Sequence, residues 1–184
     1  KKKYKLGDIA VMYRVNAQSR ALEEGCLRYG VPYQVVGGQK FYHRQEVKDL
    51  AAYLRLLANP NDDVSFTRVV NLPARGIGQR TMDELARLAR DSGVSMFDAA
   101  GLLRQDEEQL DAPVAQGFTA RAVRALMDFR ELVEGLRRDA ETVGLVALMD
   151  EVMGRSGYRT HLAESDDRSE ERLENIEEFK NATA

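Results

Sequence analysis

Arg68-Val69-Val70-Asn71-Leu72-Pro73-Ala74-Arg75-Gly76-Ile77-Gly78 separates two helical patterns and decides how the rest of the chain is read. Before it, Phe66, Val69 and Val70 follow a capping residue at Asp63 and stop ahead of Pro73. After it, Met82, Leu85, Ala86 and Ala89 form an apolar stripe, with Thr81 and Glu84 at capping-box spacing. The Gly-x-Gly between them predicts a hairpin joining two helices. Glycine lets the backbone approach a polyanion, and the amides that open the second helix favour phosphate. Ile77 is expected to anchor the turn in the core, while Arg75, Gly76, Gly78 and Thr81 face the ligand. Such a hairpin grips a nucleic-acid backbone without reading bases. A lone Gly-x-Gly is better read as an ordinary tight helix-to-helix turn, so the reading rests on the longer string.

The helical period continues on both sides. Val47, Leu50, Ala51, Leu54 and Leu57 make a stripe that ends at Asn59-Pro60. Ser95 and Asp98 place a helix start near Met96, and residues 101–117 read as an exposed connector. Thr119 opens a helix with Ala122, Leu126, Phe129, Val133 and Leu136 on one face. Another carries Val146, Met149, Val152 and Met153 and ends at Gly157, and a last one runs from about Asp167 with Leu173 and Ile176 inward. Only the beginning differs. Asp8–Tyr13 and Pro32–Val36 read as buried strands, flanking a helix whose stripe is Ala17, Ala21, Leu22, Gly25, Cys26 and Tyr29. The expected fold is therefore mainly α, with a helix-hairpin-helix-like element, preceded by a small β-α-β fragment of an α/β domain. Two strands leave open edges, so that unit is expected to be a piece of a larger sheet.

With 184 residues, 43% of them hydrophobic, the chain can bury a core. Its net charge of -3 conceals an asymmetry: residues 1–90 sum to +7 and residues 91–184 to -10. A polyanion would meet the first half, although such imbalance also occurs on solvated helices. No apolar run approaches the ~20 residues that cross a bilayer, and Lys1-Lys2-Lys3 is not followed by a signal-peptide core, so cytoplasm is the expected compartment. Cys26 is the single cysteine and is expected to pack in the core. His43 and His161 are isolated and read as surface or packing residues, with no metal site expected. Glu170, Glu171, Glu174, Glu177 and Glu178 read as a solvated face. No Gly-x-x-x-x-Gly-Lys-[Ser/Thr] loop occurs, so this chain by itself is expected neither to bind a cofactor nor to hydrolyse ATP.

Arg14 and Asn16 lie where the first predicted strand gives way to helix, the edge at which open α/β sheets place ligands. There they either hold phosphate oxygens, or serve as an ion-pair partner and a helix cap. Phe41 and Tyr42 have the chemistry to stack on bases, but an aromatic pair that begins an amphipathic helix is more often core.

Tyr13-Arg14-Val15-Asn16-Ala17-Gln18-Ser19-Arg20, Gly37-Gly38-Gln39-Lys40-Phe41-Tyr42 and the Arg75-Gly76-Ile77-Gly78 string together resemble the UvrD/PcrA/Rep-type superfamily 1 DNA helicases, with matching spacing from about Ile9 to Phe179. The resemblance implies that residues 1–40 belong to the second RecA-like motor domain. It further implies that residues 41–175 are the helical insertion subdomain called 2B, and that 176–184 begin the return to the motor. It assigns single-strand contacts to Arg14, Asn16 and Lys40 and duplex contact to the hairpin. Ala74 departs from the pattern, since relatives often carry a basic or polar residue there. The implied enzyme unwinds DNA 3′ to 5′ with ATP and Mg2+, held by motifs outside these residues, in repair or replication restart. Its implied partners are single-stranded DNA, single/double-strand junctions, and repair or transcription proteins, without a membrane. The rival readings are a non-enzymatic interaction module and part of a helicase-nuclease subunit.

Overall fold

The computed structural model describes residues 4–14, 18–35, 41–103, 117–164 and 168–183. Its helices are α1 (Ser19–Arg28), α2 (Gln45–Ala58), α3 (Asp63–Val69), α4 (Gln79–Ser92), α5 (Met96–Leu102), α6 (Ala120–Ala140), α7 (Leu145–Arg155), α8 (Tyr158–Ala163) and α9 (Ser169–Thr183). Short-range chemistry starts and stops several of them. Ser95 Oγ accepts the Asp98 amide at 3.1 Å, and Thr119 Oγ1 accepts that of Ala122 at 3.2 Å. Gly93 closes α4 in the left-handed region, at φ +68°. The cap of α3 falls one residue earlier than expected: Asp62 receives the Ser65 amide at 3.0 Å, which frees Asp63 to accept the Met96 amide at 2.8 Å.

Helix α2 is the centre of the core, touching α3, α6, α7 and α9. This explains why its buried set is wider than the single stripe its sequence shows. Leu50, Tyr53, Leu56 and Leu57 are all buried, together with Phe66, Leu85, Leu126, Phe129, Met149 and Ile176. Each large apolar side chain removed from water contributes about 1.5–3 kcal/mol. Helix α9 continues without a break through Asn175 and Ile176, the expected limit of the insertion. Lys180 of α9 ties it to α7 by an ion pair with Asp150 at 2.8 Å.

The β-α-β expectation is corrected. Among the described residues no strand forms. Leu6–Asp8 is a 3₁₀ turn, and both Ile9 to Tyr13 and Pro32 to Val35 run without a ladder; Val36 lies outside the described residues. Two short segments alone cannot satisfy their outer edges or cover an apolar face. Ile9, Val11 and Met12 are accordingly exposed, Met12 at 94%. Of the predicted apolar stripe of α1, Ala21, Leu22 and Tyr29 are exposed, Gly25 and Cys26 are half-buried, and Ala17 lies outside the described residues.

Instead α1 buries Glu23, whose carboxylate accepts the Phe41 amide and the Tyr33 hydroxyl, both at 3.1 Å. The join is otherwise polar. Arg44, at the head of α2, donates to Ser19 Oγ at 3.0 Å and to Asn175 Oδ1, and Asn175 donates in turn to Glu46 at 2.6 Å. Arg20 pairs with Glu178 at 2.8 Å, so part of the acidic α9 face expected to be solvated is spent on α1. Phe41 is fully buried, as the core reading expects, whereas Tyr42 is exposed, with its ring edge-on to Phe179 and its hydroxyl donating to Glu24 at 2.9 Å. No described helix is long and apolar enough to cross a membrane.

Candidate nucleic-acid interface

The connection from Val70 to Gly78 is held by one amide side chain and one guanidinium. Asn71 Oδ1 accepts the backbone N–H of Arg75 at 2.6 Å and of Ile77 at 3.3 Å, which folds the loop back on itself. Ile77 is driven into the core and Gly76 is left outside with φ +76°. Gly78 is exposed, with the extended values φ -84° and ψ 171°, and a Cβ built on it would meet nothing within 4 Å. It is also the N-cap of α4, without a side chain to cap it, and Met82 donates to its carbonyl at 3.1 Å. The amides of Gln79, Arg80 and Thr81 are therefore the orphan donors of this helix start, and no acid occupies its first turn. Thr81 is the third helical residue rather than the cap, because the extended Gly78 already begins the helix.

Arg75 turns inward. One terminal nitrogen donates to the carbonyls of Val69 at 3.2 Å, Val70 at 3.1 Å and Pro73 at 3.1 Å. The other donates to Tyr53 Oη at 3.1 Å and to the Ser156 carbonyl at 3.0 Å. The guanidinium also lies 5.1 Å from the centre of the Phe129 ring. Tyr53 completes the clamp by donating to the Leu72 carbonyl. The side chain read from sequence as a cation facing the ligand thus satisfies carbonyls at the end of α3 and fastens the loop to α2, α6 and the turn before α8.

Arg14 is exposed and makes no ion pair among the described residues; its amide donates to Gln18 Oε1 at 3.2 Å. Asn16 and Lys40 lie outside the described residues. Arg14 precedes α1, which meets the bundle around Phe41 and α9, whereas the loop lies between α3 and α4. No described contact brings the two together.

Over residues 1–184 the chain matches the UvrD-like helicase C-terminal domain. It belongs to that family. It is 43% identical over 182 residues to the ATP-dependent DNA helicase PcrA of Bacillus subtilis (strain 168), covering 98% of this chain and 23% of the relative. To PcrA of Staphylococcus aureus (strain Mu50 / ATCC 700699) it is 42% identical over 179 residues, 97% of this chain and again 23% of the relative. The chain thus spans less than a quarter of the length of these curated relatives.

In this UvrD-like chain, sequence reasoning passed over the residues that shape the loop. Asn71 stood in the quoted string, but its role depends on a backbone reversal that spacing does not reveal. Tyr53 lay outside the apolar stripe read for α2, yet it is fully buried. Arg121, on α6, went unremarked because α6 was read for its apolar face. Its Nη2 would lie 3.5 Å from a Cβ built on Gly76.

Below the loop, Tyr158 donates to Asp49 Oδ2 at 2.7 Å, and Arg68 pairs with Asp49 Oδ1 at 2.6 Å. His161 stacks on the Tyr158 ring at 5.9 Å, a packing role. Burial first, and the Asp49 charge second, push the Tyr158 phenol far above its ordinary value; burial also raises that of Tyr53, against the opposing effect of Arg75. A phenol raised in the folded state is fully stabilising below the unfolded value of ~10, and this contribution is lost as pH rises beyond it. Above pH ~10, thermal melts are expected to show stability falling by up to about 1.4 kcal/mol per pH unit for each such tyrosine. Tyr158→Phe is expected to make that fall shallower. An unchanged slope in the variant would contradict the assignment.

Proposed function

We propose that the chain is the DNA-binding and regulatory portion of an ATP-dependent 3′-to-5′ DNA helicase acting in repair or replication restart. The observation that carries this is the Gly76–Gly78 backbone, held open on the surface at the uncapped start of α4 within a UvrD-like chain. Residues 41–175 form the insertion subdomain, and its helix-hairpin-helix-like element takes the duplex ahead of the motor. Gly76, Gly78 and the Thr81 turn face the duplex phosphates, with Ile77 and Arg75 holding the backbone in place. Arg14, Asn16 and Lys40 follow the single strand, as part of a RecA-like motor domain. Rotation of the insertion about the polar join at Arg44 and Asn175 switches unwinding on or off.

ATP and its Mg2+ are held elsewhere in that enzyme, since these residues include no phosphate loop. The working compartment is the cytoplasm. Repair or transcription proteins are further partners.

The single-strand assignment is tested in the intact helicase by titrating an unstructured oligonucleotide at several salt concentrations. Arg14→Ala is expected to weaken binding without changing sequence preference. The log-log salt slope should become shallower by roughly 0.7 for the lost phosphate contact, and DNA-stimulated ATP hydrolysis should fall with it. A variant with the parental slope would return Arg14 to a structural role.

A further inference from the structure

The arginines of α6 fall into three groups with different physical justifications. Arg130, in the middle, has partners: the Phe97 carbonyl at 2.6 Å, Glu134 at 2.9 Å and the Phe97 ring at 4.5 Å. Arg137 and Arg138 lie in the last turn, where the negative end of the helix dipole favours cations. Arg121 and Arg124 have neither. They are exposed and make no ion pair among the described residues; Arg121 lies in the first turn of α6, where the dipole disfavours positive charge, and Arg124 just beyond it. The first turn holds no acid to offset them, and Asp128, one turn beyond Arg124, pairs with neither.

Position supplies the reason for them. Arg121 reaches to Gly76 and lies beside its bare Cα, with no protein acceptor for its donors among the described residues. Arg124 follows at i+3, on the adjoining part of the same helix surface. We propose that Arg121 and Arg124 form a second arm of the duplex cradle, taking phosphates of the DNA that the Gly76–Gly78 backbone contacts. This rests on the reading of that loop as a duplex contact. An arginine fork matches phosphate geometry, and an anion at this helix start removes the conflict with the dipole.

The test uses the intact helicase and two probes, a forked duplex and an unstructured single strand, each titrated at several salt concentrations. Arg121→Ala with Arg124→Ala is expected to make the log-log salt slope on the fork shallower by roughly 1.8, at about 0.9 per lost duplex contact, and to leave the single-strand slope unchanged. Arg121→Glu with Arg124→Glu carries a signature that a structural role would not produce. Its melting temperature should be equal to or above the parent's, because acids suit a helix start, while fork binding falls further. A double alanine variant with the parental fork slope overturns the proposal. If Gly78→Val still weakens fork binding in that case, the loop reading stands without the second arm. If Gly78→Val is silent as well, the loop reading has failed.

Discussion

Replacing Arg75 by alanine is expected to lower folding stability by about 3 kcal/mol, the larger of the two main effects. Hydrogen bonds to a charged group are worth about 1.5–3 kcal/mol each, and a guanidinium over an aromatic ring about 0.5–2 kcal/mol. Arg75 is only partly buried, so water replaces some of these contacts and the sum is discounted accordingly. What water cannot replace is the convergence. The guanidinium joins carbonyls from residues 69, 70, 73 and 156 to the Tyr53 hydroxyl. In a domain of this size about 3 kcal/mol corresponds to a melting temperature lower by roughly 6–12 °C, read by circular dichroism. Arg75→Lys is expected to recover less than half of the loss, because a single ammonium carries the charge without the planar fork. Full recovery by lysine would mean that charge alone matters and would refute the clamp.

Gly78→Val and Gly76→Val are expected to separate binding from folding. Gly78 has φ -84° and open space around its missing side chain, so valine fits the folded chain. The exchange of glycine for valine at an N-cap costs about 0.5–1 kcal/mol. The isopropyl group then stands where a duplex phosphate approaches the backbone, and affinity for a forked duplex is expected to fall at least about ten-fold, or about 1.4 kcal/mol. Gly76 is the reverse case. At φ +76° a β-branched residue is strained by about 1–3 kcal/mol, so Gly76→Val should melt earlier whether or not DNA is present. Melts and fork titrations at two salt concentrations, run on both variants, decide the matter. A Gly78→Val protein that stays folded and binds forks like its parent would make the loop an ordinary turn.

Much of the helical order was legible because its causes are local. A hydroxyl reaching an amide three residues on marks the starts at Ser95 and Thr119. Apolar residues at helical spacing likewise announced α6 and α7, whose inner faces bury Leu126, Phe129, Met149 and Val152. The family was readable for a related reason: short strings at fixed spacing survive in one dimension.

Strand formation, by contrast, depends on neighbours. The β-forming runs near Ile9 and Tyr33 carry the right composition yet form no ladder among the described residues. Buried charge depends on them too. Glu23 sits on what reads as the polar side of α1 and is buried because Phe41 and Tyr33 bring it donors. The inward turn of Arg75 is the sharpest instance. An arginine beside Gly-Ile-Gly has the chemistry to grip phosphate, and the nearby carbonyls of Val69, Val70 and Pro73 are backbone groups that side-chain identity does not mark as its acceptors. The inward direction is completed by Tyr53, 22 residues earlier, and by the Ser156 carbonyl, 81 residues later. Composition and spacing determined that helices form, where several begin and which family they belong to. Which polar groups are spent inside and which remain for a ligand depended on donors and acceptors that meet only when the bundle closes, because a hydrogen bond is satisfied by proximity in space and not along the chain.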